Sequence, residues 1–152
     1  MRVLIAAVGR IKAGPARALY DEYVARMTWP TALREVEIKK TLTAEERRRQ
    51  EAELLRAVIP SGARRVVLDE RGGALSSEAF ARRLGGWRDD GVADLVFLIG
   101  GADGVDQSLR NDADLVLSLG LMTWPHMLVR GMLAEQLYRA QQILAGHPYH
   151  RA

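Results

Sequence analysis

Short apolar runs alternate with amphipathic segments along the whole chain, and this alternation is the feature that most restricts the fold. Runs such as RVLIAAV (Arg2 to Val8) and DLVFLI (Asp94 to Ile99) are typical of buried strands. Each run is followed by a segment with helical spacing, and no internal repeat or low-complexity linker interrupts the order. A βαβα order of this kind predicts an α/β fold with a parallel or mostly parallel sheet flanked by helices.

The same pattern predicts five strands and five helices. The strands are expected at Arg2 to Val8, from Leu33 in LREVEIK, at Arg64 to Gly73, at Asp94 to Ile99, and in DLVLSLG from Asp114. The first helix is expected from Pro15 to about Thr28, and the second from a capping box of Thr43 and Glu46 to about Ile59. The third begins near Ser76, and a break at Gly85 and Gly86 is an open alternative. A short helix is expected from Asp106 to Asp112, and a long one from His126 that Gly146 ends.

Length and composition narrow the class of protein. We expect residues 1–152 to form one domain, because a chain of 152 residues can bury its own core. The absence of cysteine excludes disulfides and thiolate metal ligands. The opening apolar run is too short for an export signal or a membrane span, so we expect a cytoplasmic protein. The net charge of +3 is mild, and ERRRQ (Glu46 to Gln50) is either a nucleic-acid patch or the solvated face of a helix.

Two glycine-containing segments follow predicted strands, where ligands bind in open α/β sheets. IGGADG (Ile99 to Gly104) is either a ligand-binding loop or a plain turn. LSLGLMTWPH (Leu117 to His126) is either an apolar loop of the core or a site that holds an adenine by main-chain hydrogen bonds, with Leu119, Leu121 and Met122 covering its faces. The spacing is not G-x-G-x-x-G and no acid follows for a ribose, so a nicotinamide dinucleotide enzyme is disfavoured.

The C-terminal tail concentrates histidine. Two of the three histidines of the chain, His147 and His150, lie in the last six residues. Chain termini usually carry no function, so a solvated tail is the plain interpretation. A metal site at these two residues is disfavoured, because no cysteine and no matching acid accompanies them. His126, in the first turn of the last helix, is expected to make a local hydrogen bond rather than to act in catalysis.

The segments LIGGADG and LSLGLMTWPHMLVRGMLAEQLYRAQQILAGHPYHR, in this order and separation, closely resemble the C-terminal half of the ribosomal RNA large subunit methyltransferase H family, which are small SPOUT-class enzymes. VGR near the start and VVLDERG in the middle extend the resemblance to the whole chain. It implies a mostly parallel α/β sheet whose C-terminal segment threads a loop to form a deep trefoil knot. Such threading departs from the general rule for protein chains.

The resemblance also implies a function. Members of this family are homodimers that bind S-adenosyl-L-methionine in the knot. For this chain we expect neither a metal nor a membrane partner. They methylate N3 of a pseudouridine in helix 69 of the large-subunit (23S) ribosomal RNA, with the assembled ribosome as substrate. Two other functions stay open, namely a SPOUT methyltransferase that acts on transfer RNA and a non-catalytic ribosome-binding factor on the same fold.

Site residues follow from the resemblance by position. The cofactor is expected to contact Leu68, Gly101, Gly120, Leu121, Met122, Thr123, Trp124 and Pro125, mostly through main chain, while Gly100, Gly104, Leu119 and Met127 either contact it or only shape the knot. The tail is expected to be catalytic. His150 has the pKa range of a general base for the N3 proton, Arg151 a fixed charge for the anion, and Tyr149 a ring to orient the base. Arg139 either faces this site or an RNA phosphate, or it forms a surface salt bridge with Glu135.

Overall fold

The apolar runs form a single sheet in the computed structural model, which describes residues 1–151. Its strands are β1 (Arg2–Val8), β2 (Thr31–Val36), β3 (Arg64–Ala74), β4 (Asp94–Ile99) and β5 (Leu115–Ser118). Its helices are α1 (Pro15–Arg26), α2 (Ala44–Ala57), α3 (Ser77–Asp89), α4 (Gln107–Asn111) and α5 (His126–Leu144). The order along the sheet is β2-β1-β4-β3-β5, and all four strand pairings are parallel. The predicted α/β fold with a parallel sheet flanked by helices is therefore confirmed.

Helices cover both faces of the sheet, which explains why the central strands β1 and β4 are apolar almost throughout, whereas the edge strand β2 alternates in burial. Val3, Ile5 and Ala7 of β1 pack into a core cluster beneath α1, α3 and α5. Ala6 and Val8 of the same strand pack into a second cluster beneath α2 and α4. The central strands are thus buried on two sides, and their carboxyl ends open at one edge of the sheet.

β3 and β5 pair in two registers. The part of β3 between the two registers passes close to the backbone of β5. Leu117 lies opposite Leu68 and also opposite Gly73, because residues 69–72 leave the ladder between the two registers. Gly72 is required at the crossing, since a Cβ there would lie 2.5 Å from the carbonyl oxygen of Val116. This close crossing is consistent with the trefoil knot that the family resemblance implies.

Packing explains details of three elements that the sequence left open or placed differently. α3 is not broken at Gly85 and Gly86; a Cβ on Gly85 would lie 2.7 Å from a methyl group of Leu144, so glycine there allows α3 and α5 to pack closely. β2 begins at Thr31 rather than at Leu33, because Thr31 pairs with Val3 of β1. α1 ends at Arg26, and the side-chain oxygen of Gln141 accepts a hydrogen bond of 2.8 Å from the amide of Thr28 beyond it.

Candidate active site

A cavity of about 460 Å³ opens at the carboxyl ends of β3, β4 and β5. Ten of the expected cofactor residues line it, namely Leu68, Gly100, Gly101, Gly104, Leu119, Gly120, Met122, Thr123, Trp124 and Pro125. Two lie elsewhere. The Leu121 side chain is 94% exposed and outside the lining. Met127 packs against the β1 end, where its Cε would lie 3.0 Å from a Cβ on Gly9.

The glycine loop after β4 forms one wall of this cavity. The chain reverses in a tight turn in which the amide of Gly104 donates to the carbonyl of Gly101 over 3.0 Å. Gly104 has a φ of +84°, a conformation that glycine adopts without strain. A Cβ on Gly100 would lie 2.8 Å from the Gly104 carbonyl oxygen. The glycines are therefore required by the turn, and the turn leaves backbone on the cavity wall.

The loop between β5 and α5 forms the opposite wall. The hydroxyl of Ser118 fixes its start, since it accepts from the amide of Gly120 over 3.1 Å and donates to the carbonyl of Gly120 over 3.0 Å. Within residues 1–151, the backbone amides of residues 121–124 make no hydrogen bond. Met122 and Trp124 are 74% and 40% exposed. The loop thus offers free main-chain donors beside apolar surface, as the edge and faces of a planar heterocycle require.

The charged side chains of the lining are mostly acidic. Asp69, Glu70 and Asp103 line the cavity with a single cation, Arg71. Asp69 is paired with Arg110 at 3.3 Å, and the hydroxyl of Thr123 lies 3.5 Å from a Glu70 oxygen. A lining of this kind suits a cofactor that carries positive charge and disfavours a polyphosphate.

His126 lines the same cavity, and the sequence did not single it out as a site residue. Burial, followed by the nearby charge of Arg130, lowers the pKa of His126, so its ring is neutral at pH 7. Arg130 itself is fully buried and donates to a Glu35 oxygen at 2.5 Å. The only local signal for His126 was its place directly after Pro125.

Tyr149 of the tail forms a cluster with Glu135 and Arg139 of α5. The hydroxyl of Tyr149 donates to Oε1 of Glu135 over 3.0 Å, and the same oxygen accepts from Nε and Nη2 of Arg139 at 3.0 and 2.5 Å. The Tyr149 ring packs edge-on against Tyr138, and the Arg139 guanidinium lies 4.8 Å from the Tyr149 ring centre. Burial and the hydrogen bond to Glu135 raise the pKa of Tyr149, so the hydroxyl keeps its proton.

His150 is held between a cation and a carboxylate. Its Nδ1 lies 3.1 Å from Nη1 of Arg139, and its Nε2 lies 3.1 Å from Oε1 of Glu78. A guanidinium only donates hydrogen bonds, so Nδ1 accepts and the ring proton lies on Nε2. Arg139 forms the expected salt bridge with Glu135, although the pair is largely buried rather than on the surface, and it also contacts His150 of the tail. Glu78 was not among the residues expected at the site, since no local pattern marks it. Arg151, which was expected there, is exposed.

The tail cluster adjoins a second cavity and does not line the first. This second cavity, of about 540 Å³, is lined by Glu135 and Gln136 on one side and by Leu117, Leu119 and Gly120 on the other. Leu117, Leu119 and Gly120 also line the first cavity. The backbone after β5 therefore separates the cofactor candidates from the cavity next to the tail.

Two other kinds of site are not found among residues 1–151. No cluster of three or more histidine, aspartate or glutamate side chains there has the arrangement of a metal site. None of the helices in this part of the chain combines the length and the apolar character needed to cross a bilayer.

Comparison with known proteins defines the class. The family model described as "Predicted SPOUT methyltransferase" matches residues 1–150, so the chain belongs to the SPOUT methyltransferases. A solved structure, the SpoU methyltransferase AviRb from Streptomyces viridochromogenes, aligns over 95% of this chain and 60% of its own with 12% identity and a TM-score of 0.46. At that score the two folds correspond only loosely, and the assignment comes from the sequence match.

Sequence relatives define the family within this class. Ribosomal RNA large subunit methyltransferase H from Rhodospirillum centenum is 64% identical over 152 residues, which is 100% of both chains. The protein of the same name from Paramagnetospirillum magneticum is 56% identical over 151 residues, or 99% of each chain. The chain belongs to the ribosomal RNA large subunit methyltransferase H family.

Proposed function

We propose that this protein transfers a methyl group from S-adenosyl-L-methionine to N3 of a pseudouridine in helix 69 of 23S ribosomal RNA, on the assembled ribosome. Family membership supports a methyltransferase, and the names of the relatives support ribosomal RNA as the substrate. The observation that carries the proposal within the chain is the pair of Arg139 and His150, which places a hydrogen-bond donor beside an acceptor.

The first cavity fits the cofactor. The free amides of residues 121–124 match the acceptors on the edge of an adenine, and Leu119 and Met122 offer apolar surface to its faces. The acidic side chains Asp69, Glu70 and Asp103 suit the sulfonium and amino groups of S-adenosyl-L-methionine. When bound, the cofactor supplies a methyl group that its sulfonium already activates. Glycines 100, 101 and 104 hold the wall of the cavity open for it.

The pair of Arg139 and His150 matches the imide edge of the base. N3 of pseudouridine carries a proton between two carbonyl oxygens, so the edge presents a donor flanked by acceptors. His150 accepts this proton at Nδ1 once Arg139 turns its Nη1 to the neighbouring carbonyl oxygen. The imidazolium that forms donates its Nε2 proton in a hydrogen bond to Glu78, and the carboxylate stabilises the positive charge. Tyr149 orients the base, and Arg151 adds a fixed positive charge.

We infer that the active form is a homodimer that works in the cytoplasm, where ribosomes are. A net charge of +3 is low for a domain that grips RNA alone, so a composite surface of two protomers is the better docking unit. Apolar surface is available for the contact, since Leu121 is 94% exposed and the second cavity is lined by Leu19, Phe80 and Met132. One protomer then holds cofactor and base, with its tail reaching past Leu117 to Gly120 towards the cofactor when the RNA binds, while the other protomer positions the complex.

The test is methyl transfer from labelled S-adenosyl-L-methionine to ribosomes that lack the modification, followed by mass mapping of the ribosomal RNA. The expected result is one methyl group on a single pseudouridine of helix 69, and none after truncation behind Pro148. Cofactor binding without transfer to ribosomes would contradict the substrate, and transfer RNA would be the next substrate to assay. Efficient methylation of a protein-free stem-loop would contradict the requirement for the assembled ribosome.

A further inference from the structure

All three lysines of this arginine-rich chain lie at one edge of the sheet. Lys12 is in the loop after β1, and Lys39 and Lys40 are in the loop after β2. β1 and β2 are neighbouring parallel strands, so the two loops lie side by side at their carboxyl ends. The three side chains are exposed, and none of the ion pairs among residues 1–151 involves them. Arg10 adds a fourth exposed cation, 3.4 Å from Glu37. We call Arg10, Lys12, Lys39 and Lys40 the basic edge.

The first of these loops is fixed from inside the protein. Arg130, fully buried on α5, donates to the carbonyl oxygens of Val8 and Gly9 at 3.1 and 2.8 Å. Its ion-pair partner Glu35 accepts a hydrogen bond of 2.7 Å from the amide of Ile11. The backbone is therefore anchored on the residues directly before Lys12.

The second loop is fixed by another arginine. Arg47 of α2 donates from Nη1 to the carbonyl oxygen of Ile38 over 2.8 Å and from Nη2 to that of Lys40 over 2.6 Å. The fork of a guanidinium suits such paired contacts, whereas a lysine ammonium acts as a hydrated point charge. The lysines are thus exposed charges presented on two loops whose backbones are held in place.

The basic edge is continuous with the cofactor cavity. Arg47 lies 3.9 Å from a carboxylate oxygen of Asp103, and Arg48 donates to the Asp103 carbonyl over 3.3 Å. Asp103 belongs to the glycine loop that lines the cavity. On the other side, a Cβ on Gly9 would lie 3.8 Å from Nε2 of His126, which also lines the cavity. A chain bound along the basic edge therefore runs beside the site where the cofactor is proposed to bind.

We propose that the basic edge docks the phosphate backbone of the ribosomal RNA next to the base that is methylated. This inference rests on the proposed function. Unpaired, exposed ammonium groups at fixed positions suit phosphates, which set the position and register of a nucleic acid without reading its sequence. The placement also gives a protein with a net charge of only +3 a local group of exposed cations for RNA, because all three lysines lie on two neighbouring loops.

The test compares two triple variants with the same loss of charge. In the first, Lys12, Lys39 and Lys40 are replaced by Gln. In the control, Arg2, Arg64 and Arg88 at the opposite end of the sheet are replaced by Gln; they are 67%, 44% and 43% exposed. KM and kcat for ribosome methylation are measured for the full-length proteins over a range of salt concentrations, together with the Kd for S-adenosyl-L-methionine. A third variant, with the lysines replaced by Arg, keeps the charge.

Each phosphate that a cation neutralises contributes about 0.7 to 0.9 to the slope of log affinity against log salt concentration. Loss of three such contacts should therefore lower the slope of log KM against log salt concentration by roughly 2 to 3 in the Lys→Gln variant. We expect kcat and cofactor Kd to be unchanged, the control to keep the wild-type slope, and Lys→Arg to restore it. A Lys→Gln variant with the wild-type slope would overturn the inference. A raised KM at that unchanged slope would do so too, because it would indicate that the basic edge contacts a protein rather than RNA phosphates. If wild-type protein failed to methylate ribosomes, the proposed function would fail and this inference with it.

Discussion

Replacing Arg130 with Met should destabilise the fold by about 3 kcal/mol. Arg130 is the largest fully buried side chain, and its guanidinium is bonded to Glu35 and to the carbonyl oxygens of Val8 and Gly9. Breaking a buried ion pair by removing one partner costs about 3 to 5 kcal/mol, because the other charge stays behind. The Glu35 side chain is 20% exposed and can regain water, which places the expected cost at the lower end.

Urea unfolding followed by circular dichroism measures this cost as a change in the free energy of unfolding. The matched control is Arg17→Met, because Arg17 forms an exposed pair with Asp21 at 3.7 Å, with both side chains more than half exposed. A surface pair contributes about 0 to 1 kcal/mol, so this variant should stay close to wild type. Equal unfolding free energies for the two variants would refute the reasoning, since they would show that desolvation of Arg130 cancels its contacts.

Three further results are expected. Burial raises the pKa of Glu35, but the hydrogen bonds from the Ile11 amide and Arg130 outweigh it and hold the pKa below 4.5. The wild type should therefore lose stability as pH falls below that value, and Glu35→Gln should lose this contribution to the pH dependence. Urea unfolding at each pH measures both. Gly72→Ala places a Cβ 2.5 Å from the Val116 carbonyl oxygen and should lower the Tm, whereas Gly73→Ala meets nothing within 4 Å; equal melting temperatures would contradict the close crossing. His150→Asn should lower kcat about 10²- to 10⁴-fold with an unchanged cofactor Kd, whereas the control His147→Asn should keep kcat, and a normal kcat in His150→Asn would exclude it as the base.

Local patterns in the sequence were enough to locate most elements and the edge of the sheet where the candidate site lies. Apolar runs such as Asp94 to Ile99 have the length and composition of buried strands, and caps such as Thr43 and Ser76 mark where helices begin. These signals act over a few residues, so they can be seen in a linear sequence. Placing the glycine loop after β4 at the carboxyl edge followed from the parallel order alone, and the structure puts that loop on the cavity wall.

Only the tertiary structure decided which distant groups meet. Gly85 looked like a helix breaker, but α3 continues through it because Leu144 of α5 packs against it. Nothing in the tail sequence indicates that His150 contacts Glu78, which is 72 residues away, or that this contact fixes the ring tautomer. The lysines of the basic edge are likewise separated along the chain and come together only because β1 and β2 are neighbours. Local patterns specify the period and ends of an element, whereas the partner of a side chain depends on how the elements pack.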